Sequence, residues 1–168
     1  MQLDRRAFLA FGGAAMVVGV AVTFPGNQGD AEATPPPPGP WPFRLTDAQW
    51  RARLSAQQYS VLRQGATERA GTSPLNREHR RGTFHCAGCN QPLFASTTKF
   101  DSGTGWPSFW RPLPRAVAER PDNSLGMRRT EVLCSRCGGH LGHVFNDGPR
   151  PTGLRYCMNG VALTFRVA

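Results

Sequence analysis

The chain has 168 residues, a mass of 18.4 kDa and a formal net charge of +9 at pH 7, and 39% of its residues are hydrophobic. This length accommodates one domain with terminal extensions, and the apolar content suffices for a compact core but is too low for a membrane protein. The charge leaves nucleic-acid binding open as a function, although a solvated basic surface is the simpler explanation.

The N-terminal residues have the features of an export signal. Arg5 and Arg6 precede a mildly apolar run, rich in glycine and alanine, that continues to Phe24. This pattern is similar to a twin-arginine signal, and the Ala-Glu-Ala at residues 31–33 has the form of a cleavage site. We therefore predict a signal over residues 1–33 and an exported protein, periplasmic or otherwise extracytoplasmic. An uncleaved membrane anchor is the alternative.

A spacer and short helices are predicted next. Residues 34–42 are rich in proline and predict an extended spacer, so the folded domain is expected to span residues 43–168. Thr-Asp-Ala-Gln at residues 46–49 has the form of a capping box, and apolar residues follow it at helical spacing. We expect one or two short helices between residues 46 and 64, and a loop over residues 65–81.

The rest of the domain alternates short strand-like segments with glycine and proline. Strands are predicted within residues 83–86, 92–94, 99–100, 131–134, 139–145 and 153–167. This pattern predicts a mainly β fold, a small antiparallel β domain with short N-terminal helices.

Four of the five cysteines form two Cys-x-x-Cys pairs at the ends of predicted strands: Cys86, Cys89, Cys134 and Cys137. Two such turns supply four sulfur ligands for one tetrahedral Zn²⁺ ion, so we predict a structural zinc site. Two disulfides or a redox-active pair are the alternatives, and an oxidising compartment favours them. Export in the folded state would instead allow zinc to be loaded where thiols stay reduced.

Cys157 is left without a partner by this count. An unpaired cysteine in a secreted protein is an intermolecular bridge or a reactive thiol, and an inert core residue is the third possibility. Strand alternation places Arg155, Cys157 and Asn159 on one face. Since a neighbouring cation lowers the pKa of a thiol, the pattern favours a nucleophile.

Two further groups of residues have chemical potential. His140, His143 and Asp147 lie within eight residues and fit a metal site or acid–base catalysis. Because four cysteines already complete a tetrahedron, the histidines are available for proton transfer. Trp106 lies in a glycine-rich turn that would expose its indole, a suitable platform for a methyl group on sulfur. Ordinary core packing is the alternative for this tryptophan.

With these residues in place, the chain resembles the methionine-(R)-sulfoxide reductases, the B type of peptide methionine sulfoxide reductase. The resemblance covers essentially the whole predicted domain and is most specific in four stretches: GTFHCAGC at residues 82–89, KFDSGTGWPSF at 99–109, GGHLGHVF at 138–145 and RYCMN at 155–159. It implies the same mainly β fold and the same zinc ligands.

The resemblance also implies roles for the remaining candidates. Cys157 corresponds to the catalytic cysteine, and Trp106 to the tryptophan that receives the substrate methyl group. The implied active-site and supporting positions are His140, His143, Asn159, Asp147 and Arg155. The implied reaction reduces peptide-bound methionine sulfoxide and leaves Cys157 as a sulfenic acid, which an external thiol or a thioredoxin-like protein then reduces. The expected protein is a monomer that binds oxidised proteins and no nucleic acid.

Two departures from the family pattern affect these expectations. Thr104 stands where many members carry a resolving cysteine, so no internal disulfide with Cys157 is expected. Ala70 and Gly71 replace a usual Pro-Phe, a change that could loosen the nearby loop. Two rival functions remain, a zinc-knuckle nucleic-acid binder and a structural zinc module that docks on a partner. Both predict that Cys157→Ser has no effect.

Overall fold

A computed structural model describes Gly39 and residues 41–168, so the predicted export signal and most of the predicted spacer lie outside the described residues. Two short helices begin the domain, α1 (Asp47–Arg53) and α2 (Ala56–Gln64). Each starts with a capping box, formed by Thr46 with Gln49 and by Ser55 with Gln58, which explains why two short helices form where the sequence predicts them.

In the described part of the chain, nine strands form two sheets in which every pairing is antiparallel. The three-stranded sheet has the order β2 (Pro92–Ala95), β1 (Gly82–Cys86), β9 (Leu163–Val167). The six-stranded sheet has the order β3 (Lys99–Phe100), β4 (Ser108–Phe109), β8 (Arg155–Met158), β7 (His140–Phe145), β6 (Arg129–Cys134), β5 (Val117–Asp122). The prediction of a mainly β, antiparallel domain is thus confirmed.

Four short 3₁₀ helices connect these elements within the described residues: Pro74–Arg77, Ser96–Thr98, Ser124–Gly126 and Gly160–Ala162. The last of them divides the strand run predicted at residues 153–167 into two strands that belong to different sheets. Among the described residues, no helix has the length and apolar character that a membrane span requires.

The core lies between the two sheets and under the helices. The rings of Phe84 in β1 and Phe94 in β2 pack on Phe109 in β4, with centroid distances of 4.9 and 4.3 Å. All three rings are fully buried. On the helical side, Trp50 and Leu62 approach Gly88 in the turn after β1. The helices therefore cover the first Cys-x-x-Cys turn.

Candidate active site

Cys157 lies on β8, an interior strand of the six-stranded sheet. The strand register places it opposite His143 on β7 and opposite Ser108 on β4. The half-buried thiol opens into a cleft of about 140 Å³. The residues that line this cleft are Thr67, Trp106, Arg129, Gly142, His143, Phe145, Cys157 and Asn159. Four of the predicted site residues, Cys157, His143, Trp106 and Asn159, are thus brought together.

The environment of the Cys157 thiol differs from the sequence-based expectation. Burial raises the pKa of Cys157 above its ordinary value, and this effect outweighs the lowering by Thr104 and Arg155. The Thr104 hydroxyl lies 3.9 Å from the Cys157 sulfur. The neighbouring cation, Arg155, is present and lowers the thiol pKa as predicted, but burial raises it by more, because desolvation disfavours the charged thiolate.

The two histidines occupy different surroundings. His143 Nε2 donates to Asp122 Oδ2 at 2.8 Å, and burial lowers the pKa of His143 more than this carboxylate raises it. His140 is buried, and its Nδ1 lies 2.6 Å from Glu131 Oε1. The Nε2 atom of His140 is buried without a hydrogen-bond partner among the described residues, and His140 does not line the cleft. His143 is therefore the histidine that lines the cleft together with the Cys157 thiol.

Glu68 is a site component that the sequence analysis missed. Its backbone N–H donates to Asn159 Oδ1 at 3.0 Å, and its carbonyl accepts the Trp106 indole N–H at 3.1 Å. Glu68 is 6% exposed, and its carboxylate accepts the backbone N–H groups of Gly160 and Val161 at 2.6 and 2.9 Å. One loop residue thus connects Trp106, Asn159 and the turn after β8. No local sequence pattern predicts this role of Glu68, because its partners Trp106, Asn159 and Gly160 are distant in sequence.

The segment that departs from the family pattern lies against the tryptophan turn. The Gly71 N–H donates to Gly105 O at 2.7 Å, and the Asn76 side chain donates to the same carbonyl at 2.8 Å. Gly105 has φ +89°, and a Cβ there would lie 2.9 Å from Gly71 N, so this close approach requires glycine. Gly71 itself faces open space. A backbone hydrogen bond therefore holds the loop at Gly71, where the family pattern has a bulky residue.

Arg155 and Asp147 form a pair beside the cleft rather than inside it. Arg155 donates to both carboxylate oxygens of the exposed Asp147 at 2.9 and 2.8 Å. Its guanidinium also lies 4.4 Å from the centroid of the Phe145 ring. Asp147 thus orients Arg155, whose charge acts on Cys157.

The four remaining cysteines form one buried cluster. Their sulfurs lie within 4.8 Å of one another, and the cross pairs Cys86–Cys137 and Cys89–Cys134 are separated by 3.8 and 3.5 Å. A tetrahedral Zn²⁺ ion with Zn–S bonds of about 2.3 Å requires sulfur separations of roughly 3.8 Å. The donor set and its spacing therefore fit one zinc ion, as predicted.

Comparison with known proteins finds a matching family model and similar proteins. Residues 54–167 match the family model described as the SelR domain. Over 121 residues the chain is 60% identical to the peptide methionine sulfoxide reductase MsrB of Thiobacillus denitrificans, an alignment covering 71% of this chain and 92% of the relative. The protein of the same name from Leptospira interrogans is 54% identical over 122 residues, with 72% and 93% covered.

Proposed function

The chain belongs to the SelR domain family, and from this premise we propose that it reduces the R epimer of peptide-bound methionine sulfoxide to methionine. The observation that carries the proposal is the meeting of Cys157, His143 and Trp106 in one cleft. The choice of epimer rests on the resemblance of the chain to the B type of reductase.

Substrate binding is assigned to the aromatic and amide groups of the cleft. The indole of Trp106 offers an apolar face for the methyl group, and its N–H is already engaged by Glu68 O, which fixes the ring. Asn159 is fixed by hydrogen bonds to Glu68 N and Leu141 O. Such preorganisation places the sulfoxide sulfur against Cys157 without further ordering of the site.

The chemical step transfers oxygen from the substrate to the enzyme. Cys157 Sγ attacks the sulfoxide sulfur, and the sulfoxide oxygen takes up a proton from a cleft acid. The oxygen is then transferred to Cys157 as a sulfenic acid, and methionine leaves. One thiol plus one sulfoxide give one sulfenic acid plus one thioether, so Cys157 is oxidised by two electrons and methionine sulfur is reduced by two. Because His143 lines the cleft and His140 does not, we assign the proton transfer to His143.

An external reductant is needed to restore the thiol. Within the described residues the other four cysteines all lie in the metal cluster, and the side chain that lies 3.9 Å from the Cys157 sulfur in the 103–106 turn is the hydroxyl of Thr104. A small thiol or a thioredoxin-like protein attacks the sulfenic acid, releases water and forms a mixed disulfide. A second thiol then frees Cys157. A zinc ion held by the four cysteines would supply a structural crosslink between their two turns.

The proposal includes a setting for this activity. The protein acts as a monomer on oxidised proteins, outside the cytoplasm or at its membrane, after export directed by residues 1–33. Part of its arginine content serves the fold, since Arg120, Arg129 and Arg155 are paired with carboxylates. Cell fractionation tests the location.

The decisive experiment supplies the reduced protein with peptide methionine sulfoxide resolved into its two epimers, with dithiothreitol as the reductant. We expect turnover of the R epimer alone, and loss of turnover in Cys157→Ser. A nucleic-acid binder or a docking module predicts no turnover in either protein. Turnover retained in Cys157→Ser would contradict the assignment of the nucleophile.

A further inference from the structure

Asp122 is a carboxylate behind the catalytic cleft to which the sequence pattern assigned no role. It lies at the end of β5, paired in the sheet with Arg129 at the start of β6. Its Oδ2 atom accepts from His143 Nε2 at 2.8 Å and from Arg129 Nη2 at 2.6 Å, and its Oδ1 atom accepts from the Ser124 N–H at 2.9 Å. The carboxylate is 17% exposed and is held by three donors from three chain segments.

These contacts determine which nitrogen of His143 carries the proton. The hydrogen bonds from Ser124, together with His143 and Arg129, hold the pKa of Asp122 well below its usual range, so the carboxylate can only accept. His143 Nε2 must therefore bear a hydrogen. Nδ1 of His143 has no hydrogen-bond partner among the described residues, and the ring lines the cleft. In the neutral ring, Nδ1 is the atom with a free lone pair.

We propose that Asp122, held by Arg129, is a positioning residue that fixes His143 in the Nε2–H tautomer, so that Nδ1 relays the Cys157 proton to the sulfoxide oxygen. This inference rests on the proposed function and extends it. Cys157 and His143 are directly opposite across β8 and β7, where Cβ atoms stand about 5 Å apart. In this proposal Cys157 is the nucleophile, His143 the base and Asp122 the group that orients the base.

The proton balance of the reaction follows from this assignment. His143 Nδ1 accepts the thiol proton as Cys157 attacks the sulfoxide sulfur, and the resulting imidazolium is stabilised by the Asp122 carboxylate. Nδ1 then donates the same proton to the sulfoxide oxygen, which ends on Cys157 as the sulfenic acid hydroxyl. No proton is taken from or released to solvent. His140 lacks this position, since its Nδ1 lies against Glu131 and its Nε2 is buried.

The groups that surround His143 change its pKa in opposite directions. Burial lowers the pKa of His143, as do the cation Arg129 and the neighbouring His140, whereas Asp122 raises it. Glu131 and Cys157 are its cross-strand neighbours. Loss of the Asp122 charge therefore lowers the pKa of His143 and weakens its ability to hold the thiol proton.

The test uses ¹⁵N NMR of the histidine rings in the full-length, zinc-loaded, reduced protein across a pH titration. We expect Nε2–H as the dominant neutral tautomer of His143 in the wild type. Asp122→Asn should lower the pKa of His143, and Asp122→Ala should in addition populate the Nδ1–H form. Asp147→Asn is the matched control, because it removes an equal charge that contacts Arg155 and leaves the His143 tautomer unchanged.

A second measurement connects this state to chemistry. Methionine formed in a single turnover without reductant reports the rate of the sulfoxide step alone. We expect this rate at pH 7 to fall about tenfold in Asp122→Asn. That decrease is smaller than the decrease expected when the general acid itself is removed. An Nδ1–H tautomer in the wild type overturns the proposal even if no variant folds, as does an unchanged His143 pKa in Asp122→Asn. Absence of methionine in the wild type would instead reject the proposed function and leave the NMR result standing.

Discussion

Thr104 provides a residue-scale test of how Cys157 is recycled. Its hydroxyl lies 3.9 Å from the Cys157 sulfur, a separation that a modest side-chain rotation would close to a disulfide if position 104 held a thiol. We expect Thr104→Cys, treated with one equivalent of methionine sulfoxide and no added thiol, to form a 104–157 disulfide. The wild type under the same conditions should retain a sulfenic acid that dimedone labels. Peptide mass mapping distinguishes the two products.

Thr98→Cys is the matched control for this experiment. Thr98 is buried, its hydroxyl donates to Ala95 O, and it does not line the cleft, so the new thiol should leave dimedone labelling at Cys157 unchanged. Dimedone labelling of Thr104→Cys at the wild-type level would show that position 104 does not face the sulfenic acid.

At the scale of elements, Glu68 fastens the loop between α2 and β1 to the turn between β8 and β9. Glu68→Gln keeps one acceptor oxygen but turns an amide N–H₂ toward a backbone donor, Gly160 or Val161. Leaving one such buried group unsatisfied costs about 1–3 kcal/mol. We expect a lower thermal midpoint by circular dichroism and a higher KM, since the backbone of Glu68 holds Trp106 and Asn159.

A carboxylate with local contacts serves as the comparison for Glu68. Glu78 accepts hydrogen bonds from the backbone and the side chain of Arg80, two residues away, so Glu78→Gln removes no contact between distant segments and should lower the free energy of unfolding by less than Glu68→Gln. Equal destabilisation by the two variants would mean that the Glu68 carboxylate does not anchor the loop.

The elements that the sequence predicted are those whose signals are local. The capping box of α1 and both Cys-x-x-Cys turns are complete within a few residues, and these were predicted, whereas the capping box of α2 was not. β5 was missed because Glu, Arg, Pro and Asp dominate it, and Pro121 is tolerated there only because β5 is an edge strand. Asp122 and Glu68 reach the site through contacts 21 and 91 residues apart, which no local pattern encodes.

At the scale of the whole molecule, part of the positive charge surrounds the metal cluster. Arg53 donates to Gly88 O at 2.6 Å, Arg136 to Cys89 O at 3.0 Å and Arg63 to Cys137 O at 3.1 Å. These three arginines come from α1, α2 and the second metal-binding turn. A zinc ion with four thiolates carries a net charge of −2, so nearby guanidinium groups compensate it while joining the helices to both turns.

The metal cluster also joins the two sheets. Cys86 and Cys89 belong to the turn between β1 and β2 of the three-stranded sheet, whereas Cys134 and Cys137 belong to the turn between β6 and β7 of the six-stranded sheet. Structural zinc contributes about 10–16 kcal/mol of apparent binding free energy in small domains, and a folded domain is stable by only about 5–15 kcal/mol. Metal binding is therefore comparable in size to the whole stability of this fold.

Removal of zinc should consequently unfold the domain rather than only loosen one turn. We expect a strong chelator, or Cys137→Ser, to abolish the cooperative thermal transition followed by near-ultraviolet circular dichroism, and to expose Trp50, which packs beside the first turn. Cys157→Ser removes a thiol outside the cluster and should melt as the wild type does. A metal-free protein with an unchanged transition would mean that sheet packing around Phe109 holds the fold together without the ion.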